Sequence, residues 1–154
     1  MHQLKRTLRI PLSLEKTWEF FSAPKNLKVI TPDYMGFEII SEEDQGAMYP
    51  GMIICYKVSP FPGVKMNWMT EITHVRDQEF FVDEQRLGPY KIWHHQHHFK
   101  EIEGGVEMTD IIDYVLPMGP VGKLMEPILV RKRLAAIFDY REEKIRALFG
   151  PLES

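Results

Sequence analysis

The densest chemistry in the chain lies at positions 94–98, where His94, His95, Gln96, His97 and His98 follow one another. Imidazole titrates near neutral pH and ligates metals, so this run points to proton transfer, metal binding or a buried polar network. Successive strand residues face opposite ways, so only His95 with His97, or His94 with His98, can share a face. The second pair is four residues apart, roughly 13 Å along a strand. His95 and His97 with Asp83 or Asp110 have the donor types of a zinc or iron site. No helical HExxH and no cysteine ligand accompanies them, so the sequence assigns neither a metal nor a cofactor. A buried carboxylate needs a partner or loses its charge, and an imidazole is the natural one. The pairs expected are Asp83–His95 and His97–Asp110. A structural network is the plainest role, and ligand hydrogen bonding or general acid–base work by His95 or His97 is the sharper one.

Other reactive residue types have simpler explanations. Cys55 is the single cysteine, placed beside the outward Lys57, which fits an inert thiol rather than a nucleophile. Met52, Met66, Met69, Met108, Met118 and Met125 suit core filling and an adaptable pocket. The 118–122 segment MGPVG lacks the Lys-Ser/Thr of a phosphate loop and reads as a loop-to-helix turn. The charge runs Arg131–Arg133 and Arg141–Lys144 read as the wet face of a helix.

Those side chains must be held by a fold, and 154 residues suffice for one domain, 1–154, on the usual prior of roughly 100–200 residues per domain. Hydrophobic residues make up 44% and charged residues 27%, and the formal charge is −3, so the composition is that of a folded chain with no nucleic-acid surface. The N-terminus alternates instead of forming an apolar signal, and no run approaches the ~20 apolar residues of a membrane span. The expectation is a cytoplasmic protein, monomeric or homodimeric, without stable membrane insertion.

Residues 2–12 alternate as a half-buried strand. Ser13 stands as an N-cap for a helix carrying Leu14, Trp18 and Phe21, and Pro24 starts a second short helix to Ile30. From Gly36 to Leu116 six strand-like runs follow, with connections too short for crossover helices, which predicts an antiparallel meander. Lys123–Phe149 then reads as one helix with a break near Pro127. Its apolar side holds Leu124, Ile128, Val130, Leu134, Ile137, Phe138, Ile145 and Leu148. The fold class is α+β: a seven-stranded curved antiparallel sheet, ordered β-αα-β6-α, wrapped around a long C-terminal helix.

Parity assigns the inward face. A turn at Leu87–Lys91 sets Phe81 opposite His97, Asp83 opposite His95 and Gln85 opposite Trp93, with Phe99 on the same side. On the next strand Met108, Asp110, Ile112 and Tyr114 face in, Tyr114 near His95. Met52, Ile54 and Tyr56 face in from one earlier strand, and Met66, Trp68, Thr70 and Ile72 from another. With Leu134 and Phe138 of the helix, these supply an aromatic and Met-rich wall carrying a few polar groups, the usual chemistry of a small-ligand site. All the inward residues named here except Met66 and Ile72 are expected ligand contacts.

The segments IPLSLEKTWEFFSAPKNLKVITP, FVDEQxxGPYxxWHHQHHF, MTDIIDYVLPMGPVG and FDYREEKIRAL, in this order, resemble the START/Bet v 1-like helix-grip superfamily, in its SRPBCC or polyketide cyclase/dehydrase-like branch. The resemblance covers nearly the whole chain. It implies a helix-grip fold with an internal cavity, and it implies that 118–122 lies at a gate near the pocket mouth. It specifies no reaction, because one fold hosts many functions.

Three functions follow as expectations. The first is binding or carriage of a small hydrophobic molecule such as a lipid, polyketide, isoprenoid or aromatic compound. The second is a cofactor-independent cyclase, dehydratase or aromatase with a cavity histidine as base. The third is an interaction module with a collapsed cavity, which a pocket well below ~300 Å³ would favour.

Overall fold

The computed structural model describes residues 1–41, 46–61, 63–117 and 129–152. Seven strands form one antiparallel sheet: β1 (His2–Ile10), β2 (Glu38–Ile39), β3 (Ile53–Phe61), β4 (Val64–Arg76), β5 (Phe80–Leu87), β6 (Ile92–Ile102) and β7 (Gly105–Val115). Their order across the sheet is β1-β7-β6-β5-β4-β3-β2, so the first strand closes against the last. Helix α1 (Leu14–Phe21) follows β1, and helix α2 (Arg131–Phe149) ends the chain. An antiparallel sheet followed by a C-terminal helix is the arrangement that the alternation and the change of periodicity predict.

Local chemistry sets the element ends. The Ser13 hydroxyl accepts from the Lys16 amide and caps α1, as its position before an apolar helical run requires. The second short helix is smaller than expected: a 3₁₀ turn over Pro24–Leu27, followed by another at Asp33–Met35. The run from Gly36 gives only the two-residue β2, because the amides of Ile40 and Ser41 both turn to the Cys55 carbonyl and the ladder stops. The 118–122 loop, Met118, Met125, and the expected helical start and break over 123–128 lie outside the described residues. Leu148 is 46% exposed, off the apolar side assigned to it.

The sheet bends through irregular pairing. Along β4 and β5 the register runs from Met69↔Leu87 to Thr70↔Gln85, and from Ile72↔Asp83 to His74↔Val82. Each step leaves an extra residue on one strand, Arg86 on β5 and Thr73 on β4, and such bulges increase bend and twist. Between β5 and β6 the pairing is Asp83↔His95 and Phe81↔His97, as parity predicts. Between β6 and β7 it is His97↔Asp110, His95↔Ile112 and Trp93↔Tyr114. Tyr114 is thus one pair further along than expected, opposite Trp93, because the turn is Glu103-Gly104 and Gly105 is already in the ladder opposite Ile102.

The core divides. At one end α1 inserts Trp18 and Phe21 against the sheet; Trp18 meets Phe81 edge-on at 5.9 Å and Phe99 at 5.3 Å between ring centroids. Burying each such ring fully is worth roughly 1.5–3 kcal/mol. At the other end Leu134 and Phe138 of α2 cover Ile112 and Tyr114. An Arg6–Asp139 ion pair also joins edge strand β1 to α2.

Close approach decides one glycine. A Cβ on Gly105 would sit 2.1 Å from the Ile10 carbonyl oxygen, so β1 and β7 must separate to admit a methyl group. Gly105→Ala is expected to cost about 1–3 kcal/mol, the range for overpacking, and urea unfolding measures it.

Candidate functional site

A cavity of about 160 Å³ lies between the sheet and α2. Ile54 and Tyr56 of β3, Trp68 and Thr70 of β4, Phe81 and Asp83 of β5, Trp93, His95 and His97 of β6, and Leu134 and Phe138 of α2 line it. These are sequence-assigned residues. Seven others assigned to the wall lie elsewhere, each for a visible reason. Met52, Phe99 and Met108 belong to the core that Trp18 and Phe21 plug. Ile112 and Tyr114 are covered by α2. Asp110 stands behind the histidines, off the cavity and 3% exposed. Gln85 spends its carboxamide on the β5–β6 connection: Nε2 donates to the Tyr90 carbonyl at 2.6 Å, and the Tyr90 amide donates to Oε1 at 3.1 Å.

Two carboxylates and two imidazoles form the polar part of the wall. His95 Nε2 is 2.9 Å from Asp110 Oδ1, and His97 Nε2 is 2.8 Å from Asp83 Oδ2. The hydrogen bonds therefore run diagonally, not along the Asp83–His95 and His97–Asp110 pairs that register suggests. The register partners still meet: His95 Nδ1 is 3.4 Å from Asp83 Oδ2, and His97 Nδ1 is 2.9 Å from Asp110 Oδ1 without a well-aligned N–H. The rings lie 3.8 Å apart at 37°, and Phe81 stacks on His97 at 4.1 Å.

Electrostatics divides the protons. Burial would raise the Asp110 and Asp83 carboxyls, but the imidazoles and Arg141 hold both below the usual carboxylate range. Burial also opposes charge on His97, yet the Asp110 and Asp83 carboxylates beside its ring win and raise its pKa. For His95, burial and the charge on His97 outweigh the same carboxylates and lower its pKa. The surroundings thus favour protonation of His97 over that of His95. Arg141 brings its guanidinium against the same cluster, with Nη1 3.6 Å from Asp110 Oδ1. Burial pushes up the phenols of Tyr56 and Tyr90, which stay neutral.

The sequence reading missed several lining residues: Tyr90, Arg133, Ile137 and Arg141 among them. Arg141 is a correction, because it is not on the wet face; its side chain is 12% exposed and its guanidinium lies 4.7 Å from the Phe138 ring centroid. The signal was available in the spacing. Arg141 is three residues after Phe138, four after Ile137 and four before Ile145, so it falls on the apolar stripe. Two donors on the wall, Trp68 Nε1 and Arg141 Nε, are buried without a hydrogen-bond partner among the described residues.

Comparison with known proteins establishes the fold and no more. No protein-family profile matches the chain, and no curated protein matches it. Solved structures do. Protein CV1439 from Chromobacterium violaceum superimposes with a TM-score of 0.73 at 11% identity, covering 98% of this chain and 99% of that one. Protein Ms6760 from Mycobacterium smegmatis gives 0.67 at 17% identity, over 95% and 92%. Ara h 8.0201, a Bet v 1 allergen, gives 0.62 at 12% identity, over 95% and 98%. The fold is the Bet v 1-like helix grip.

Asp110→Ala is expected to cost roughly 3–5 kcal/mol, because it takes from His95, His97 and Arg141 the buried carboxylate they share. Asp113, on the opposite face of β7 and bonded to Gln3 at the surface, is the control; Asp113→Ala should change stability by about 0.5 kcal/mol or less, read by the same denaturant titration.

Proposed function

We propose that this chain binds a small, mainly apolar molecule in the cavity between the sheet and α2. The observation that carries this reading is the mixed lining: Tyr56, Trp68, Trp93 and Phe138 around a gap whose wall also holds two donors without a partner among the described residues, Trp68 Nε1 and Arg141 Nε. Buried donors without partners are costly, and an acceptor on a ligand relieves the cost. The ligand is therefore apolar over most of its surface and carries a hydrogen-bond acceptor.

Size narrows the class. Usual ligand pockets span roughly 300–1,000 Å³, and this cavity is about 160 Å³. An apolar cavity of roughly 150 Å³ holds benzene. A single-ring aromatic or a short branched chain fits, and a long-chain lipid does not fit without expansion. The same small volume favours a second reading, an interaction module that needs no ligand. Against catalysis by a histidine base stands the occupation of the rings: each imidazole has a carboxylate beside both nitrogens. Neither presents a free lone pair to a substrate while that arrangement persists. Among the described residues no helix is long and apolar enough to cross a membrane.

Titrating acetophenone and toluene against the protein, with tryptophan fluorescence as the readout, tests the proposal. Acetophenone should saturate and bind more tightly than toluene. Trp68→Phe should narrow that difference, and Ile137→Phe should fill the cavity and weaken both by about tenfold or more. Absence of saturable binding for any single-ring compound sinks the reading and leaves the interaction module in its place.

A further inference from the structure

One donor atom from each of Asp83, His95 and His97 lies within 4.8 Å of the other two. Asp83 Oδ2 is the hub, 2.8 Å from His97 Nε2 and 3.4 Å from His95 Nδ1. All three side chains border the cavity. The remaining ring nitrogens, His95 Nε2 and His97 Nδ1, each lie 2.9 Å from one oxygen of the buried Asp110. The two imidazoles are thus braced by one carboxylate at their far edges and offer their near edges to a second carboxylate. A histidine that binds a metal through one nitrogen ordinarily directs its other N–H to a carboxylate or carbonyl. Asp110 stands where it can serve both rings.

The near edge is loosely closed. His95 Nδ1 stands 3.4 Å from Asp83 Oδ2, whereas the other three contacts of the cluster are 2.8–2.9 Å. A cation between the near edges meets one carboxylate oxygen and two ring nitrogens.

We propose that Asp83, His95 and His97 form a site for a divalent first-row transition metal, with Asp83 Oδ2, His95 Nδ1 and His97 Nε2 as ligands and Asp110 orienting both rings. Bonds of roughly 2.0–2.2 Å place neighbouring tetrahedral donors about 3.3 Å apart. The present spacings of 2.8 and 3.4 Å to Asp83 Oδ2 need adjustments of only about half an ångström on that basis. Two imidazoles and one carboxylate, with further positions open, is the donor set of catalytic zinc and non-haem iron sites. The open positions belong to the cavity side, where an acceptor oxygen of a bound molecule can occupy one. The inference goes beyond binding of an organic molecule and is tested without one.

The full chain, stripped with a chelator, is titrated with cobalt(II) chloride and followed by the visible bands of bound cobalt. One cobalt per chain is expected, displaced by zinc. His95→Ala and Asp83→Ala should abolish the bands, whereas Asp110→Asn should keep the stoichiometry and weaken binding by about 10–100-fold. Nitrogen-15 imidazole spectra of the unmutated chain answer the case in which a variant misfolds: zinc should move His95 Nδ1 and His97 Nε2 directly. No metal uptake by the unmutated chain, unchanged affinity in a His95→Gln/His97→Gln variant, or zinc shifts confined to the surface His94 and His98 would overturn the proposal.

Discussion

The contact between two carboxylates and two imidazoles across β5, β6 and β7 is the constraint on which the interior depends. Asp83, His95, His97 and Asp110 are all held away from bulk water, and charges in that position are tolerated only when mutually compensated. Compensation requires the three strands to keep their register, since a one-residue slip would turn His95 and His97 outward together. An apolar wall accepts many packings of similar volume. This cluster accepts one, and it fixes the sheet around which the aromatic residues arrange themselves.

From that fixed point the cavity follows as a matter of coverage. Helix α1 seals one end with Trp18 and Phe21, and α2 seals the other over Ile112 and Tyr114. Between them the bent sheet stands away from α2, and the side chains reaching into the gap leave a space of about 160 Å³. Charged groups at its border are matched: Arg141 against Asp110, His97 against Asp83. The result is a hollow that is greasy over most of its lining yet retains donors on Trp68 and Arg141.

Much of the fold was readable in the sequence because its two periods are clean. Alternation along positions 81–85 and 93–99, joined by a turn at Leu87–Lys91, gives Asp83↔His95 and Phe81↔His97. The change to helical spacing after the strands marks α2. Face assignment also separates the inward His95 and His97 from the outward His94 and His98. What parity does not contain is what lies above each inward residue. Phe99 and Met108 point inward as expected and are nevertheless sealed by α1. The diagonal hydrogen bonds were likewise beyond reach, because which oxygen a ring nitrogen selects depends on side-chain rotamers and not on strand pairing. Arg141 was lost for a different reason: its charge outweighed its position on an apolar stripe.

The clasp between Gln85 and Tyr90 has a thermodynamic consequence. Tyr90 sits in a connection, where backbone is ordinarily mobile, but its amide and carbonyl are both held by one side chain. Gly88 leaves room for that side chain, since a Cβ there would lie 2.4 Å from the carboxamide oxygen. A cavity residue borne by a loop is therefore tied down by two hydrogen bonds before a guest arrives. Association at this corner spends little conformational entropy on arranging its host, so selectivity there comes from shape already set, with slow exchange of the Tyr90 amide as its outward sign.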